Sequence, residues 1–541
     1  MQRPARDMPA QRIDAERSYR AVRVYSPGCK TCNTNTMRYR YLIPAMLAVF
    51  QFVVMQGLGQ STTDLDASWR PAMHFAPGKG WINDPNGMVY HQGVYHLFFQ
   101  HYPDGNQWGP MHWGHATSRD LVRWEEQAIK LYPDSLGYIF SGSAVVDSLN
   151  TSGLGTAANP PLVAIFTHHD PKTEKTTSTF QNQSIAYSLD NGNTWTKYPG
   201  NPVLKNPGIV DFRDPKVMWY APRRQWIMTL ATKDRITFYS SPNLLQWTQE
   251  STFGATQGAH GGVWECPDLF PMTHEGKTHW VLLVNLNPGG PNGGSATQYF
   301  IGDFDGKTFT ASHTDTRWLD YGPDEYAGVT WSNTGNRVLF IGWMSNWDYA
   351  NDLPTKQWRN AMTISRELQL TRVADTLRLR SLPVAELNAY ARDIIREKTL
   401  RVSAGKPAEL ALPDNGKAFS VSLETSARES FHIRLTNPAG ETFMLGYRAD
   451  KAVYFIDRGL SGMRGKAREF ARLIEAPRFA RTETLRLRMV VDGSSVEVFA
   501  DDGLTVLTSV CFPRAAWNRL VLGSASAMSV SQLTLATLQP K

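Results

Sequence analysis

From Trp69 to about Leu370 the chain alternates short apolar runs with turns rich in glycine, asparagine and aspartate. Residues 94–99 (VYHLFF), 162–166 (LVAIF), 226–230 (WIMTL), 280–284 (WVLLV) and 338–342 (VLFIG) are runs of this kind. They have strand length and strand composition, and no amphipathic helix longer than two turns interrupts them, so the pattern predicts an all-β region. Aligning the turns brings out a repeat. Ser118 and Asp120 before Trp124, Ser188 and Asp190 before Trp195, and Ser241 and Asn243 before Trp247 share one design, with Asp303-Phe304-Asp305 before Phe309 as a looser copy. In each, a short polar side chain can fold back onto its own turn while an aromatic packs beneath it. The spacings of about 70, 53 and 62 residues suit four-stranded blades with loops.

Segments able to carry chemistry alternate with these turns: Asp84, then 140–143 (FSGS), 212–215 (FRDP), 264–268 (WECPD), 320–327 (DYGPDEYA) and 342–344 (GWM). Five units, each with such an inner segment and an outer hairpin, predict a five-bladed β-propeller over residues 61–380. Its inner strands would converge on a central axis and bring distant carboxylates into one funnel. Residues 381–399 read as a helical linker, with Leu387, Tyr390, Ile394 and Ile395 on one face. Beyond it, residues 400–541 return to alternating strands such as 419–423, 431–435, 485–491 and 495–499, which predict a β-sandwich.

Seventeen Trp, 24 Phe and 20 Tyr suit a β protein with aromatic clefts. The formal charge of +7 would suggest a basic surface, but residues 1–40 hold nine Lys/Arg against Asp7, Asp14 and Glu16. The body is therefore near neutral, and no nucleic-acid footprint is expected. Arg38 and Arg40 precede an apolar run over residues 41–55 and then Gly57-Leu58-Gly59-Gln60. This describes a secretory signal peptide, too short for a comfortable membrane span, with Met37 as the expected start behind a 36-residue extension. A signal-anchor with a cytoplasmic tail is the rival. The expectation is a secreted protein, extracellular or periplasmic, with no membrane insertion after signal removal. Past the signal only Cys266 and Cys511 remain, so no disulfide framework is expected. No His/Cys/Asp cluster has metal-ligand spacing and no glycine-rich nucleotide loop follows a strand, so neither metal nor cofactor is expected.

The segment 81–87 (WINDPNG) reads as a tight turn, because Pro85 fixes one backbone angle and Gly87 permits a positive one. It would hold Asp84 between an indole and two amides. Carbohydrate sites use this mixture: an aromatic for the sugar's C–H face, amides for its hydroxyls, a carboxylate for the chemistry. Taken alone, Arg213 beside Asp214 reads as a local salt bridge, and Cys266 reads as a small buried hydrophobe.

With these segments together, the chain resembles glycoside hydrolase family 32, the β-fructofuranosidases. WINDPNG at 81–87, FRDP at 212–215 and WECP at 264–267 match the family's three signature motifs, with Ile82 where methionine is common. FSGS at 140–143, residues 320–327 and GWMSN at 342–346 match further shared segments, and 491–499 is similar to a strand of the family's C-terminal sandwich. The resemblance covers roughly residues 69–540. It implies a retaining hydrolase of fructan or sucrose in which Asp84 is the nucleophile, Glu265 the acid/base and Asp214 the transition-state stabiliser. It further implies substrate contacts from Trp81, Asn83, Gln100, Trp108, Phe140, Ser141, Arg213, Asp320 and Trp343, Trp108 and Trp343 being the favoured sugar platforms. Release of single terminal fructose units is the expected mode. An invertase or a fructosyltransferase would use the same carboxylates, and a non-catalytic fructan-binding protein would be expected to lack one. A monomer or a homodimer fits equally.

Overall fold

In the computed structural model, which describes residues 64–413, 417–463, 465 and 467–539, five antiparallel sheets follow one another between Gly80 and Pro383. The expected extension and signal peptide lie outside the described residues. The first strands of the five sheets are Gly80–His91, Tyr138–Val146, Phe212–Tyr220, Val263–His274 and Tyr326–Thr330. Each packs against the first strand of the next sheet, and the fifth returns to the first, so they close a ring around one axis. This is the β-propeller expected from the repeat, and the five sheets agree with the expected blade number. Trp358–Arg359 pairs in parallel with the start of Gly80–His91, and a bridge from Val89 to Ser332 joins the last sheet to the first.

The repeated turns join the third and fourth strands of the first four sheets, and they are built as their residues dictate. Ser118 Oγ accepts the backbone N–H of Asp120 and Leu121, while Asp120 Oδ1 accepts those of Val122 and Arg123. Ser188 with Asp190 and Ser241 with Asn243 repeat the arrangement, and Asp305 does it alone for Lys307 and Thr308. Such self-capped turns place the hairpins locally, before any long-range contact forms.

Two six-stranded sheets form the C-terminal sandwich. One runs in the order Ala391–Val402, Met528–Leu538, Ala418–Ser426, Thr484–Asp492, Ser495–Ala500, Thr505–Val510. The other runs Ala408–Ala411, Arg519–Gly523, Phe431–Thr436, Thr442–Arg448, Val453–Leu460, Ile474–Pro477. A core that includes Phe419, Leu487, Val498, Tyr454 and Trp517 fills the space between them. A second core is shared, since Val490, Phe499, Val506 and Leu538 of the sandwich pack with Trp81, Ile82 and Trp343 of the propeller.

Two local expectations are corrected. The helical linker is a 3-10 turn, Ala385–Tyr390, followed at once by the strand Ala391–Val402. Leu387 and Tyr390 are buried as expected, but Ile394 is exposed, and a register shift between Asp393 and Ile395 accommodates the adjoining pair. Pairing along Met528–Leu538 satisfies this backbone, and β-branched neighbours favour the extended form. The segment 81–87 is likewise no turn. It lies wholly within the strand Gly80–His91, which pairs with Val94–Tyr102 on both sides of a bulge. Among the described residues no helix is long and apolar enough to cross a membrane.

Candidate active site

All five inner strands carry a β-bulge at one level. The inner strand advances three residues while its partner advances two: between Ile82 and Pro85, Ile139 and Gly142, Arg213 and Lys216, Glu265 and Asp268, and Tyr326 and Val329. The residues at these bulges are Asn83-Asp84, Phe140-Ser141, Arg213-Asp214, Glu265-Cys266 and Tyr326-Ala327, each pair followed by proline or glycine. Proline lacks the N–H that a regular ladder needs, so it belongs at such irregularities. Gly142 and Gly328 are required sterically. A Cβ on Gly142 would lie 2.1 Å from the Ile165 carbonyl oxygen, and one on Gly328 2.1 Å from the Phe340 ring. A bulge re-aims side chains that strict alternation would send to opposite faces. Asp214, Cys266 and Ala327 take positive φ values of 66°, 41° and 54° in doing so, a strained conformation for residues other than glycine.

The result is a pocket of about 420 Å³ into which Asp84, Asp214 and Glu265 converge. Both oxygens of Asp84 are engaged: Oδ1 accepts Asn83 Nδ2 at 2.8 Å, and Oδ2 accepts Ser141 Oγ at 2.6 Å. Cys266 is buried beside the carboxylates, its Sγ 3.4 Å from Asp84 Oδ2 and 3.6 Å from Asp214 Oδ2. Burial and the three carboxylates around it push this thiol well up, so it stays protonated and donates. Glu265 is gripped from two sides, as Arg213 donates to Oε1 from Nε at 3.2 Å and Nη2 at 2.9 Å, and the Tyr326 hydroxyl donates to Oε2. Asp214 accepts the Cys266 N–H at 3.0 Å. Burial pushes Asp214 up to about 7; Arg213 opposes this, and the Glu265 and Asp84 charges add to it.

Below the carboxylates the axis is sealed. Ser143 Oγ donates to the Pro215 carbonyl and accepts the Val217 N–H. Lys216 Nζ lies 3.0 Å from Asp268 Oδ2, which also accepts the N–H and hydroxyl of Thr330. The pocket is therefore blind at its base.

Of the residues the resemblance names as substrate contacts, Asn83, Gln100, Trp108, Phe140, Ser141 and Arg213 line this pocket. Three expected residues do not. Trp81 and Trp343 are fully buried, with Trp81 Nε1 donating to Asn83 Oδ1 and Trp343 Nε1 to the Ile82 carbonyl, so they hold the bulge from behind. The indole that reaches the pocket instead is Trp347, which is half-buried and stacks on Trp81. Asp320 lies at the junction with the sandwich, accepting Arg366 Nη1, the Gly322 N–H, and the N–H and hydroxyl of Thr508. Its charge is consumed there, which removes it from the pocket. Tyr326 was missed as a site residue, although the residue pair ahead of proline or glycine marks it as the fifth-sheet counterpart of Glu265. His169, Glu174, Gln181, Asp211 and Asn351 also line the pocket and come from loops, a 3-10 turn, and second and third strands without a readable motif. Among the described residues no group of three His, Cys, Asp or Glu could hold a metal ion.

Residues 74–382 match the N-terminal domain of glycosyl hydrolases family 32, and residues 387–537 match that family's C-terminal domain. The chain is 46% identical over 488 residues to a levanase of Bacillus subtilis, covering 88% of this chain and 71% of the relative. It is 40% identical over 487 residues to an extracellular exo-inulinase of Aspergillus niger, covering 83% and 90%. Among solved structures, the exo-inulinase from Aspergillus awamori superposes with a TM-score of 0.80 at 36% identity, over 87% of this chain and 98% of that one. The β-fructofuranosidase from Schwanniomyces occidentalis complexed with fructosyl-erythritol gives 0.77 at 32%, over 86% and 97%. The matched stretches take in both the bulged strands that aim the carboxylates and the sandwich that packs behind them, and the chain belongs to glycoside hydrolase family 32.

Proposed function

We propose that the protein is an exported, retaining β-fructosidase that removes terminal fructose from β-linked fructans and accepts sucrose as the shortest such end. The observation that carries this reading is the blind pocket: one sugar ring fits above the sealed floor, and the rest of a chain must leave through the mouth. Asp84, oriented by Asn83 and Ser141, attacks the anomeric carbon of the fructosyl unit. The bond to the leaving oxygen breaks as Glu265 gives that oxygen a proton, forming a fructosyl ester on Asp84. Glu265 then takes a proton from water as the water opens the ester, releasing fructose and restoring both carboxyls. Asp214, at the edge of its ionisation near neutral pH, is suited to grip ring hydroxyls. The printed names of the levanase and exo-inulinase relatives support the substrate class, and the extracellular relatives support export.

Chromatography of the first products from inulin and levan tests the mode. Fructose alone is expected. Early oligofructosides would mark an endo enzyme, absence of polymer cleavage an invertase, and fructosylated sucrose a transferase. NMR of the first anomer released should show retention.

A further inference from the structure

Resting on the β-fructosidase reading, we infer that the pocket mouth selects leaving groups without negative charge, with Glu174 as the side chain that sets this specificity. Five carboxyl groups line the pocket, Asp84, Glu174, Asp211, Asp214 and Glu265, against one guanidinium, Arg213. That guanidinium is spent: Nη1 donates to Asp211, Nη2 and Nε to Glu265, and Nε lies 3.9 Å from Asp214. No lining cation remains for an anionic substituent.

Glu174 is held at the rim by a chain of contacts that leads back to the catalytic strand. The Phe212 N–H donates to Gln181 Oε1 at 2.9 Å, which turns Gln181 Nε2 toward His169 Nδ1 at 3.3 Å. The proton of His169 therefore sits on Nε2, 3.5 Å from Glu174 Oε2. Burial lowers the pKa of this imidazole, and its face stacks on Phe140 with centroids 4.2 Å apart. The loop itself is tied by Asp170, whose carboxylate accepts the Lys172 N–H and the Thr173 hydroxyl, while the Glu174 N–H donates to the Asp170 carbonyl. The Glu174 side chain keeps 48% of its surface in solvent. Lys172 and Lys175 share the loop, and neither lines the pocket. A fructosyl unit on the sealed floor sends its leaving sugar past this carboxylate. A phosphate on that sugar would meet like charge in a partly dehydrated cleft, where Coulomb repulsion is stronger than in water.

The test compares kcat/KM on sucrose, sucrose 6-phosphate and raffinose, the last carrying neutral bulk at the same glucose carbon as the phosphate. The wild-type protein is expected to favour sucrose over sucrose 6-phosphate by about tenfold or more, with the gap narrowing in high salt. Glu174→Gln, which keeps an acceptor for His169, should narrow it about threefold or more, and Glu174→Lys further, with the raffinose to sucrose ratio unmoved. Equal use of the two sugars by the wild type, or a phosphate ratio that neither variant moves, would overturn the inference. So would a raffinose ratio that shifts as much as the phosphate ratio, because Glu174 would then act through shape. Absence of turnover on every β-fructoside would instead overturn the reading on which it rests.

Discussion

Two clusters in this molecule gather acidic side chains around arginine, and they differ in what is left over. In the pocket, Arg213 answers Asp211 and Glu265, while Asp84 takes hydrogen bonds only from neutral groups and borders open space. At the junction of propeller and sandwich, Arg366 pairs with Asp320 and Glu497, His74 with Asp492 and Glu497, and Arg458 with Asp324. Side chains there are at most 1% exposed. Asp492 also accepts three backbone N–H groups of residues 72–74, so the sandwich clamps the chain just ahead of the first inner strand. The same residue types serve opposite ends. Unneutralised charge within reach of a ligand can do chemistry, whereas charge paired in the dark fixes how two domains meet.

The largest expected effect separates the clusters directly. On the proposed mechanism, Asp84→Asn should lower kcat by about 10³-fold or more with an unchanged melting temperature, because the amide keeps the shape and would not form the ester. Arg366→Met should do the reverse. Leaving Asp320 buried without its cation, and Glu497 with His74 alone, costs about 3–5 kcal/mol. Its melting temperature should fall while the folded fraction turns over sucrose at nearly the wild-type kcat. A folded Arg366→Met protein as inactive as Asp84→Asn would break the comparison.

The smallest effect is in pH. Asp214 moves from its ordinary 3.8 up to about 7 on folding, so between those values the folded chain holds a proton that the unfolded chain has released. Its contribution to stability is full below 3.8 and is lost as pH rises through 7. Asp214→Asn should therefore melt higher than the wild type at pH 8 and show no such gain near pH 4, at the cost of activity. The junction titrates elsewhere. Burial presses His74 down, but Asp492 and Glu497 outweigh it and hold it at about 9, so its contribution is full below 6.5 and lost as pH rises through 9. Burial works against the Glu497 charge, and Arg366 and His74 outweigh that to hold it at about 2, so its contribution is full above 4.5 and lost as pH falls through 2. Thermal melts from pH 4 to 10 should show Asp214→Asn altering the slope up to about 7 and leaving the later decline in place.

What the chain itself determined was everything that depends on near neighbours. Short apolar runs made the propeller strands and period-two patterning those of the sandwich, and Ser118-Asp120, Ser188-Asp190 and Ser241-Asn243 close the propeller's turns with their own side chains. The order of the acidic motifs was legible for the same reason, since each sits on one inner strand. A deeper regularity, a pair of residues ahead of proline or glycine on every inner strand, was also written there, and it marks Tyr326 beside Glu265. Only the tertiary structure decided which of similar residues face the ligand. Asp214 and Asp320 are both carboxylates in ordered motifs, but Arg366 and Thr508, distant in sequence, take Asp320 away. Trp343 and Trp347 stand four residues apart and both pack against Trp81, yet Trp343 is fully buried with its Nε1 on the Ile82 carbonyl while Trp347 lines the pocket. Residues 391–399 carried a pattern open to helix, and the strand Met528–Leu538 gave them a ladder instead. The physical reason is common to all three. Burial, charge pairing and strand partnership are set by groups that the chain brings together only when the ring and the sandwich have closed, and no local pattern encodes which groups those will be.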